Sequence, residues 1–447
     1  MLGKVLLWQN VKTMDTTSAG RKRYAIVGTG ARSLMFSEAL LKDYHATCEL
    51  VGICDISSKR LDYMNALFGK RYGAKPVRTF AADDFKLMIR EQKPDVVIVT
   101  SIDRTHHLYI IAAMEMGCDV ITEKPMTTDV EKCQAVVDVV KRTGRSLRVT
   151  FNYRYSPVRT EVKSLLMQGV IGEVKSVHFE WMLDTQHGAD YFRRWHRDKL
   201  NSGGLMVHKS THHFDLVNWW LDSTPQTVFG LGSLAFYGKI NGQKRGAYRP
   251  YHRSTGDPAA KGDPFAIDLR DDDGLENLYY HIEKEDGYLR DQNVFGDGIS
   301  IEDTMNVLVG YRSGAQLSYS LTAYAPYEGS RIAFNGTNGR LEIEELEHSY
   351  ISAGNGHIGD GLTRSQRISV LPLWEKPYHI PPPPSTGGHG GGDLLLLEDL
   401  FGSEKRDDPY GRAATYLDGA QSLLTGIAAN QSFATGRPVR IADLIQF

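Results

Sequence analysis

The feature of this chain that most limits its fold is a short apolar segment that ends in glycines and leads into a helical stretch. Tyr24 to Val27 is typical of a fully buried parallel strand, and the segment Gly28 to Ser33, GTGARS, follows directly. A strand, a glycine-rich turn and a helix in this order are the context of a dinucleotide fingerprint. We therefore predict that the first folded domain binds a dinucleotide, with an ordinary glycine turn as the alternative.

Each position of this turn has a predicted role. Gly28 permits the tight turn, and Gly30 lets the backbone approach a pyrophosphate at the positive end of the following helix. Ser33 takes the place of a third glycine, at a position that mainly serves close packing of the helix on the strand. Ala31 and Arg32 of this turn are also predicted cofactor contacts. The Arg32 guanidinium offers a charge-assisted hydrogen bond to phosphate.

Further apolar segments alternate with helical patterns after this turn. They are Glu49–Asp55, Asp95–Thr100, Asp119–Glu123 and Ser146–Phe151. Strands that alternate with amphipathic helices predict right-handed βαβ units and a doubly wound parallel sheet. We predict an α/β Rossmann domain over residues 22–150, preceded by a disordered leader over residues 1–21.

The pattern changes after about residue 150. Val174–Trp181, Asn306–Tyr311 and Ala315–Leu321 mix apolar and polar positions, as antiparallel strands with one solvated face do. We therefore predict a second, α+β domain over residues 151–447. The stretch from about 239 to 298 lacks a sustained period, and we interpret it as an insertion that folds over the site or against a partner subunit.

Composition argues against several classes of function. Lys and Arg total 52 against 54 Asp and Glu, so the chain has no basic excess for neutralising a nucleic acid. The apolar piece of the leader is far shorter than a membrane span or a signal-peptide core. The four cysteines form no CxxC pair, which argues against a disulfide framework or a structural zinc site. We predict a cytoplasmic protein that binds neither nucleic acid nor membrane.

Asp55 indicates which dinucleotide is bound. It ends the second predicted strand, where a carboxylate accepts both hydroxyls of the adenosine ribose and repels a 2′-phosphate. NAD is therefore favoured over NADP. Lys59 and Arg60 follow closely and are able to reach a 2′-phosphate, or they form a solvated helix face, so NADP remains the alternative.

A further set of motifs indicates a resemblance to a known protein family. The segment Ile121 to Met126, ITEKPM, ends a predicted strand, and Pro125 fixes the turn so that Glu123 and Lys124 face the edge where such sheets bind ligands. The other motifs are Ser101 to His106, FNYRYSP from Phe151, GEV from Gly172, SGG from Ser202, HHFD from His212 and TGRPV from Thr435. With these motifs the chain resembles the Gfo/Idh/MocA family of oxidoreductases, named for glucose-fructose oxidoreductase and inositol dehydrogenase.

The resemblance runs from Tyr24 to the C-terminus and leaves out only the leader and the insertion. It implies an N-terminal Rossmann domain and a C-terminal α+β domain, built on a large open, mostly antiparallel sheet that binds substrate and forms the oligomer. It also implies hydride transfer between NAD(P) and a carbon of a small carbohydrate or cyclitol. A homo-dimer or homo-tetramer is the expected assembly, because family members commonly pair through the open face of that sheet.

The resemblance also implies the catalytic residues. Lys124 matches the lysine whose ammonium neighbours both nicotinamide and the reacting hydroxyl, and His212 matches the proton acceptor. Independently of the family, hydride abstraction from an alcohol needs a base, and histidine suits that role at neutral pH. His208 stands where the dehydrogenase pattern commonly has Asp, and on a helix it shares a face with His212. A divalent metal on this pair is an alternative that we do not favour.

The remaining candidates come from the same motifs. The predicted cofactor contacts also include Ser101, His106, Glu123, Lys124 and Asn152. The predicted substrate contacts are Tyr153, Arg154, Arg194, Trp195, His196 and His389. Flat rings and hydrogen-bond donors are the groups that bind sugar faces and hydroxyls, and the alternative is an exposed basic loop around a buried Trp195.

Three functions are compatible with this set of residues. The first is an NAD-dependent dehydrogenase that oxidises a ring carbon of a sugar, glycoside or cyclitol. The second is an NAD-dependent glycosidase that oxidises a sugar carbon transiently, eliminates the aglycone and returns the hydride. A non-catalytic sensor with a Rossmann fold is the third, and the presence of both Lys124 and His212 argues against it.

Overall fold

The structure is a computed structural model that describes residues 20–349, 365–404 and 407–447. The predicted disordered leader lies outside the described residues except for its last two, which precede the first strand. Two β-sheets organise the chain, one for each predicted domain.

The N-terminal domain alternates strands and helices. Its strands are β1 Lys22–Val27, β2 Cys48–Asp55, β3 Arg78–Ala81, β4 Val96–Val99, β5 Asp119–Thr122 and β6 Leu147–Val149. Its helices are α1 Ser33–Glu38, α2 Ser58–Tyr72, α3 Phe85–Gln92, α4 His106–Glu115 and α5 Val130–Thr143. The strand order is β3-β2-β1-β4-β5-β6 with every neighbour parallel, so the predicted Rossmann fold is confirmed.

The C-terminal domain contains the remaining elements. Its helices are α6 Pro157–Met167, α7 His187–Arg193, α8 Lys199–Ser202, α9 Leu205–His208, α10 Thr211–Leu221, α11 Lys239–Lys244, α12 Asp273–Leu278, α13 Glu283–Asp286, α14 Gly392–Phe401 and α15 Tyr416–Thr435. Its strands are β7 Val174–Asp184, β8 Pro225–Ser233, β9 Thr304–Tyr311, β10 Gln316–Ala325, β11 Glu328–Gly336, β12 Gly339–His348, β13 Ser365–Pro372, β14 Tyr378–Ile380 and β15 Val439–Arg440.

These strands form one large sheet in the order β14-β13-β12-β11-β7-β10-β9-β8-β15. Strands β7 and β10 are parallel and the other neighbours are antiparallel, which confirms the predicted sheet. Buried residues alternate with partly exposed ones along β10, so one face packs inward and the other faces outward. Helix α15 packs on β8 and α10. It also contacts α5 and β6 of the first domain.

The predicted insertion leaves the sheet between β8 and β9. Its neck is held by Asp303, whose carboxylate accepts hydrogen bonds from the backbone N–H groups of Ala235, Phe236 and Tyr237 at 2.7–2.9 Å. Beyond the neck it contains α11, α12 and α13 and packs against α2 of the Rossmann domain. The insertion therefore packs against the first domain, and its predicted placement over the site or against a partner subunit stays a prediction.

Candidate active site

Gly28 closes the turn after β1 where no larger residue fits. Its φ is +86°, and a Cβ atom added there would lie 2.5 Å from the Cα and N atoms of Ser101. The Gly28 N–H also donates to the carbonyl of Cys54 in β2 at 2.8 Å. The first glycine of the fingerprint therefore lets the ends of the neighbouring strands β1 and β4 meet.

The second half of the turn touches the insertion. Ser33 Oγ donates to the Gly30 carbonyl at 2.8 Å and fixes the start of α1. The Ala31 N–H donates to Tyr279 Oη at 3.1 Å, and a Cβ atom on Gly30 would lie 3.5 Å from the same hydroxyl. An N–H group of the kind that faces a pyrophosphate in dinucleotide sites is therefore covered by a tyrosine of the insertion.

Several predicted cofactor residues form one polar network at the carboxyl edge of the first sheet. Arg32 Nε donates to Glu123 Oε1 at 2.8 Å, and Arg32 Nη2 lies 4.0 Å from Asp393 Oδ1. Asn152 Nδ2 donates to the same Asp393 oxygen at 2.6 Å, and the other Asp393 oxygen bonds to His389 Nδ1 at 2.8 Å. The glycine turn, the ITEKPM segment and the segment Gly387 to Asp393, GGHGGGD, thus meet at one place.

Asp55 is buried and already has four donors. Its Oδ2 accepts from the Thr29 N–H and hydroxyl at 2.7 and 3.0 Å. Its Oδ1 accepts from the Ser57 N–H at 3.0 Å and from Arg60 Nη1 at 2.6 Å. Arg60 also binds Asp286 of α13 at 2.5 Å, so its guanidinium is taken up by two carboxylates. A ribose hydroxyl that binds Asp55 must share an oxygen with these donors.

The loop after β4 is fastened to the ITEKPM turn by His106. One ring nitrogen lies 2.9 Å from the Ser101 carbonyl and the other lies 2.9 Å from the Pro125 carbonyl. Burial lowers the pKa of His106. The structure therefore gives His106 a positioning role between the two segments, and its predicted contact with the cofactor stays a prediction.

Lys124 and His208 lie side by side. Lys124 Nζ donates to the His208 carbonyl at 3.1 Å, and His208 Nδ1 lies 2.5 Å from Asp103 Oδ2. Burial lowers the pKa of Lys124 to about 8, with the charge of Asp103 acting in the opposite direction. Burial also lowers the pKa of His208 and raises that of Asp103. A lysine that titrates near neutral pH and a neutral histidine therefore stand at the junction of the domains.

His212 is buried next to the predicted substrate residues. Its ring stacks on Tyr153 with centroids 4.3 Å apart and an interplanar angle of 19°, and it lies 6.3 Å from the His389 ring. Within the described part of the chain, its Nδ1 has no hydrogen-bond partner. Burial lowers the pKa of His212, and Lys124 lowers it further, so the ring is neutral at physiological pH. A neutral imidazole is the form that accepts a proton.

Arg154 takes part in the packing of the C-terminal domain. Its Nε and Nη2 donate to the two oxygens of Asp215 at 2.8 and 2.6 Å, and Nη2 also binds Asp418 at 2.9 Å. Burial raises the pKa of Asp215 to about 7, against the opposite effect of Arg154. The guanidinium is thus held in the core, which supports a structural role, and its predicted contact with substrate stays a prediction.

The segment around Trp195 forms an aromatic stack beside His208. The Trp195 and His196 rings are 3.6 Å apart, and His196 meets His208 at 4.3 Å in a T-shaped contact. Arg194 Nη1 binds Asp190 at 2.7 Å. The structure therefore brings two of the predicted substrate residues, Trp195 and His196, next to a predicted catalytic residue.

The helix expected over His208 and His212 is interrupted. Helix α9 ends at His208 and α10 begins at Thr211, so the two histidines do not share a continuous helical face. The break places Lys209 in the core, with Nζ 3.4 Å from Tyr153 Oη and 5.0 Å from the Trp181 ring centroid. Burial lowers the pKa of Lys209 to about 8.

Several residues of this region were missed by sequence reasoning. They are Asp103, Lys209, Tyr279, Arg290 and Asp393. Asp103 lies inside the motif from Ser101 to His106, and Lys209 lies between His208 and the pair His212 and His213, so both stand within recognisable sequence signals. Tyr279 and Arg290 lie in the insertion, whose irregular sequence carries no periodic signal that relates it to the site.

The residues present fit a dinucleotide at the turn after β1. Gly28 has the backbone that the fingerprint needs, and an N–H of the turn is bonded to a hydroxyl oxygen rather than used inside the helix. Among the described residues, no three His, Cys, Asp or Glu side chains are close enough to hold a metal ion. No helix in the described ranges has the length and apolar character needed to cross a membrane.

Comparison with known proteins defines the class first. A family model described as the NAD-binding Rossmann fold of an oxidoreductase family matches residues 22–151, and its C-terminal alpha/beta domain matches residues 163–441. The fold and the matches together define a two-domain oxidoreductase with an NAD-binding Rossmann domain. Within that class the chain belongs to the Gfo/Idh/MocA family, so the resemblance drawn from the motifs is confirmed.

The chain is similar to named relatives over different lengths. It is 37% identical over 440 residues to an assumed oxidoreductase, YteT, of Bacillus subtilis (strain 168), covering 95% of this chain and 99% of that protein. It is 32% identical over 155 residues to the D-glucoside 3-dehydrogenase of Escherichia coli (strain K12), covering 34% of this chain and 41% of that protein.

A solved structure supports the fold alone. The aldose-aldose oxidoreductase from Caulobacter crescentus, solved with glycerol, superposes with a TM-score of 0.60 over 94% of this chain and 100% of that one. Its sequence is 17% identical. Relatives of this chain include sugar and inositol dehydrogenases.

Proposed function

We propose that this protein is an NAD-dependent oxidoreductase that transfers a hydride between nicotinamide and a ring carbon of a sugar, glycoside or cyclitol. The observation that carries the proposal is the convergence of Lys124, His208 and His212 at the carboxyl edge of the Rossmann sheet. Lys124 Nζ lies 3.1 Å from the His208 carbonyl, and burial, followed by the charge of Lys124, lowers the pKa of His212. A cation and a neutral base in one buried place are the groups that alcohol oxidation needs.

In this proposal the turn from Gly28 to Ser33 holds the pyrophosphate, and Asp55 meets the adenosine ribose. When bound, the nicotinamide would supply the hydride acceptor for oxidation of the substrate carbinol to a ketone. His212 takes the hydroxyl proton on its imidazole, and the Lys124 ammonium stabilises the negative charge that develops on the substrate oxygen. The Tyr153 ring stacks on His212 and fixes the plane of the imidazole toward the substrate.

The test is NADH release, measured by absorbance, across a panel of free sugars, aryl glycosides and cyclitols. A net dehydrogenase makes one NADH for each molecule of substrate oxidised. Absence of both NAD binding and NADH release over the whole panel would contradict the proposal. The second candidate would bind NAD and give no net NADH.

That second candidate is an NAD-dependent glycosidase that oxidises, eliminates and re-reduces. It is favoured by the pair His389 and Asp393, which are bonded at 2.8 Å and lie near Tyr153 and His212. Elimination of an aglycone needs a second group that moves protons, and this pair supplies one. Release of the aglycone from an aryl glycoside, with no net NADH, would select this reaction.

We also propose which cofactor the enzyme uses, how it assembles and where it works. NAD is favoured over NADP, because Arg60 is buried between Asp55 and Asp286 and is withdrawn from a 2′-phosphate. A homo-dimer or homo-tetramer is proposed from the outward face of the large sheet. We place the enzyme in the reducing cytoplasm, because all four cysteines are buried and unpaired.

A further inference from the structure

Arg290 in the insertion has hydrogen-bonding capacity that the described residues leave unused. Its Nε and Nη1 are buried, and neither has a partner in residues 20–349, 365–404 or 407–447. Its side chain is only 12% exposed, and the carboxylate it approaches, that of Asp190, lies 3.9 Å from Nη2. Buried guanidinium donors are normally paired, so an arginine with two free donors indicates a ligand.

The neighbours of Arg290 have unused donors as well. Arg194 Nε and Tyr288 Oη are buried without a partner among the residues that the structure describes. Three guanidinium groups, those of Arg193, Arg194 and Arg290, share the single carboxylate of Asp190. Burial raises the pKa of Asp190, but the three arginines outweigh it and lower the pKa overall. The cluster therefore carries excess positive charge and unused donors, which match an anionic group with several acceptor oxygens.

The cluster lies against the glycine turn. The Arg290 Cζ is 4.5 Å from the centroid of the Tyr279 ring, and the Tyr279 hydroxyl accepts from the Ala31 N–H at 3.1 Å. The Tyr279 and Tyr288 rings are 6.0 Å apart. Burial raises the pKa of Tyr279, yet Arg290 and Arg194 outweigh burial and the pKa falls below its ordinary value. A positive potential thus extends from Arg290 to the N–H of the turn.

We propose that Arg290, Arg194 and Tyr288 form an anion-binding site that the insertion holds against the glycine turn, and that its ligand is a phosphate or carboxylate group. The pyrophosphate of the bound dinucleotide is the favoured source, because the cluster is joined to the Ala31 N–H through Tyr279. The acid group of a sugar acid is the other source of the same chemistry. The inference rests on the proposed function, because it takes the dinucleotide or the sugar of that function as its ligand.

The experiment measures binding by titration calorimetry with the full-length chain, in the parent and in Arg290→Met. ADP-ribose carries the pyrophosphate without nicotinamide, and adenosine carries neither phosphate. We expect Arg290→Met to weaken ADP-ribose binding roughly tenfold to hundredfold, the effect of losing hydrogen bonds to a charged group, and to leave adenosine unchanged. Arg290→Lys keeps the charge without the planar fork, so it should restore part of the affinity.

Arg270→Met is the matched control, because Arg270 lies in the same insertion and its guanidinium is exposed and bonded to Asp268. It should bind ADP-ribose as the parent does. A second arm compares D-glucuronate with D-glucose in the presence of NADH. Loss of glucuronate binding alone in Arg290→Met would assign the site to the substrate acid. Parent-like binding of both ADP-ribose and glucuronate by a folded Arg290→Met protein, with an unchanged thermal transition, would overturn the inference.

The two proposals fail in different ways. If the parent binds NAD and releases NADH while Arg290→Met binds every ligand normally, the anion site is wrong and the oxidoreductase stands. If the parent binds neither ADP-ribose nor glucuronate, the anion site is wrong whatever reaction the protein catalyses. Weakened ADP-ribose binding in Arg290→Met without any NADH release supports the anion site and leaves only the reaction to be reassigned.

Discussion

His212 combines burial, a neutral ring and a stacking partner, and this combination makes its substitution informative. His212→Ala should lower the oxidation rate by about 10² to 10⁴, because the proton acceptor is removed. The affinity for NAD should stay within a factor of about two, since the glycine turn is untouched. The measurements are steady-state NADH formation and calorimetric NAD binding.

The control is His45→Ala, which changes an exposed histidine in a loop of the first domain. It should leave both quantities unchanged. Full activity of His212→Ala on its true substrate would remove His212 from the mechanism. The proton acceptor would then be sought at His208, Tyr153 or His389.

The lowered pKa of Lys124 predicts that the oxidation rate depends on pH. Burial lowers its pKa to about 8, so the ammonium is present below that pH and is lost as the pH rises through it. If the ammonium stabilises the developing alkoxide, kcat/KM should fall above about pH 8. Lys124→Arg should be slower but should lack this falling limb, because a guanidinium stays charged in that range. The measurement is a pH–rate profile of both proteins.

Lys209 provides the control for this assignment. It is also buried, and its pKa is likewise lowered to about 8. Lys209→Met should therefore keep the falling limb if Lys124 is the titrating group. A limb that persists in Lys124→Arg and disappears in Lys209→Met would transfer the role to Lys209.

Sequence patterns identified single residues of the site better than their contacts. Lys124 and His212 each stand in a recognisable motif, so both could be named in advance. The bond between His208 and Asp103 could not, because it joins residues 105 positions apart and depends on how the two domains meet. The partners of Arg154 could not be named for the same reason, since Asp215 and Asp418 are distant in sequence.

At the scale of elements, two glycines of the turn between β1 and α1 should differ in their effects, Gly28 on the stability of the fold and Gly30 on NAD binding. In Gly28→Ala the new methyl group meets the Ser101 backbone at 2.5 Å and the residue must keep a φ of +86°, so we expect a loss of at least about 2 kcal/mol in the free energy of unfolding. In Gly30→Ala the methyl group meets, among the residues that the structure describes, only the Tyr279 hydroxyl at 3.5 Å, so stability should change by less than about 1 kcal/mol.

The same Gly30→Ala substitution should weaken NAD binding roughly tenfold or more, because the methyl group stands where the backbone approaches the pyrophosphate. Thermal unfolding and NAD titration of the two variants check the pair. An intact, stable Gly28→Ala protein would contradict the packing argument. Parent-like NAD affinity in Gly30→Ala would move the pyrophosphate away from this turn.

Fully buried strands were easier to predict from the sequence than an edge strand or the break between two short helices. The buried strands of the first sheet appear as continuous apolar runs, so their order along the chain could be read directly. Strand β3 was missed because it is a short edge strand with only Phe80 buried. The break between α9 and α10 was missed because local spacing gives no sign of tertiary packing, such as the burial of Lys209 at the break.

At the scale of the whole molecule, the outward face of the large sheet predicts self-association. Leu231 in β8 and Leu308 in β9 are 64% and 57% exposed on neighbouring strands. Exposed apolar side chains that lie together on one sheet face favour pairing between copies. We expect a dimer or tetramer by light scattering at micromolar concentration, and we expect Leu308→Asp to dissociate it.

Leu200→Asp is the control, because Leu200 is 80% exposed and lies in α8, away from this face. It should leave the assembly unchanged. A monomeric parent at micromolar concentration would contradict the prediction, and an unchanged oligomer in Leu308→Asp would place the interface on another surface.

The contacts between the insertion and α2 affect how the protein unfolds. The insertion is rooted between two strands of the second sheet, while Arg60 and Ser57 of the first domain are bound to Asp286 and Glu285 at its far end. Unfolding of either domain therefore also breaks the buried ion pair between Arg60 and Asp286. Heat should unfold the two domains in a single cooperative transition, and a cofactor bound to the first domain should raise the melting temperature of the second.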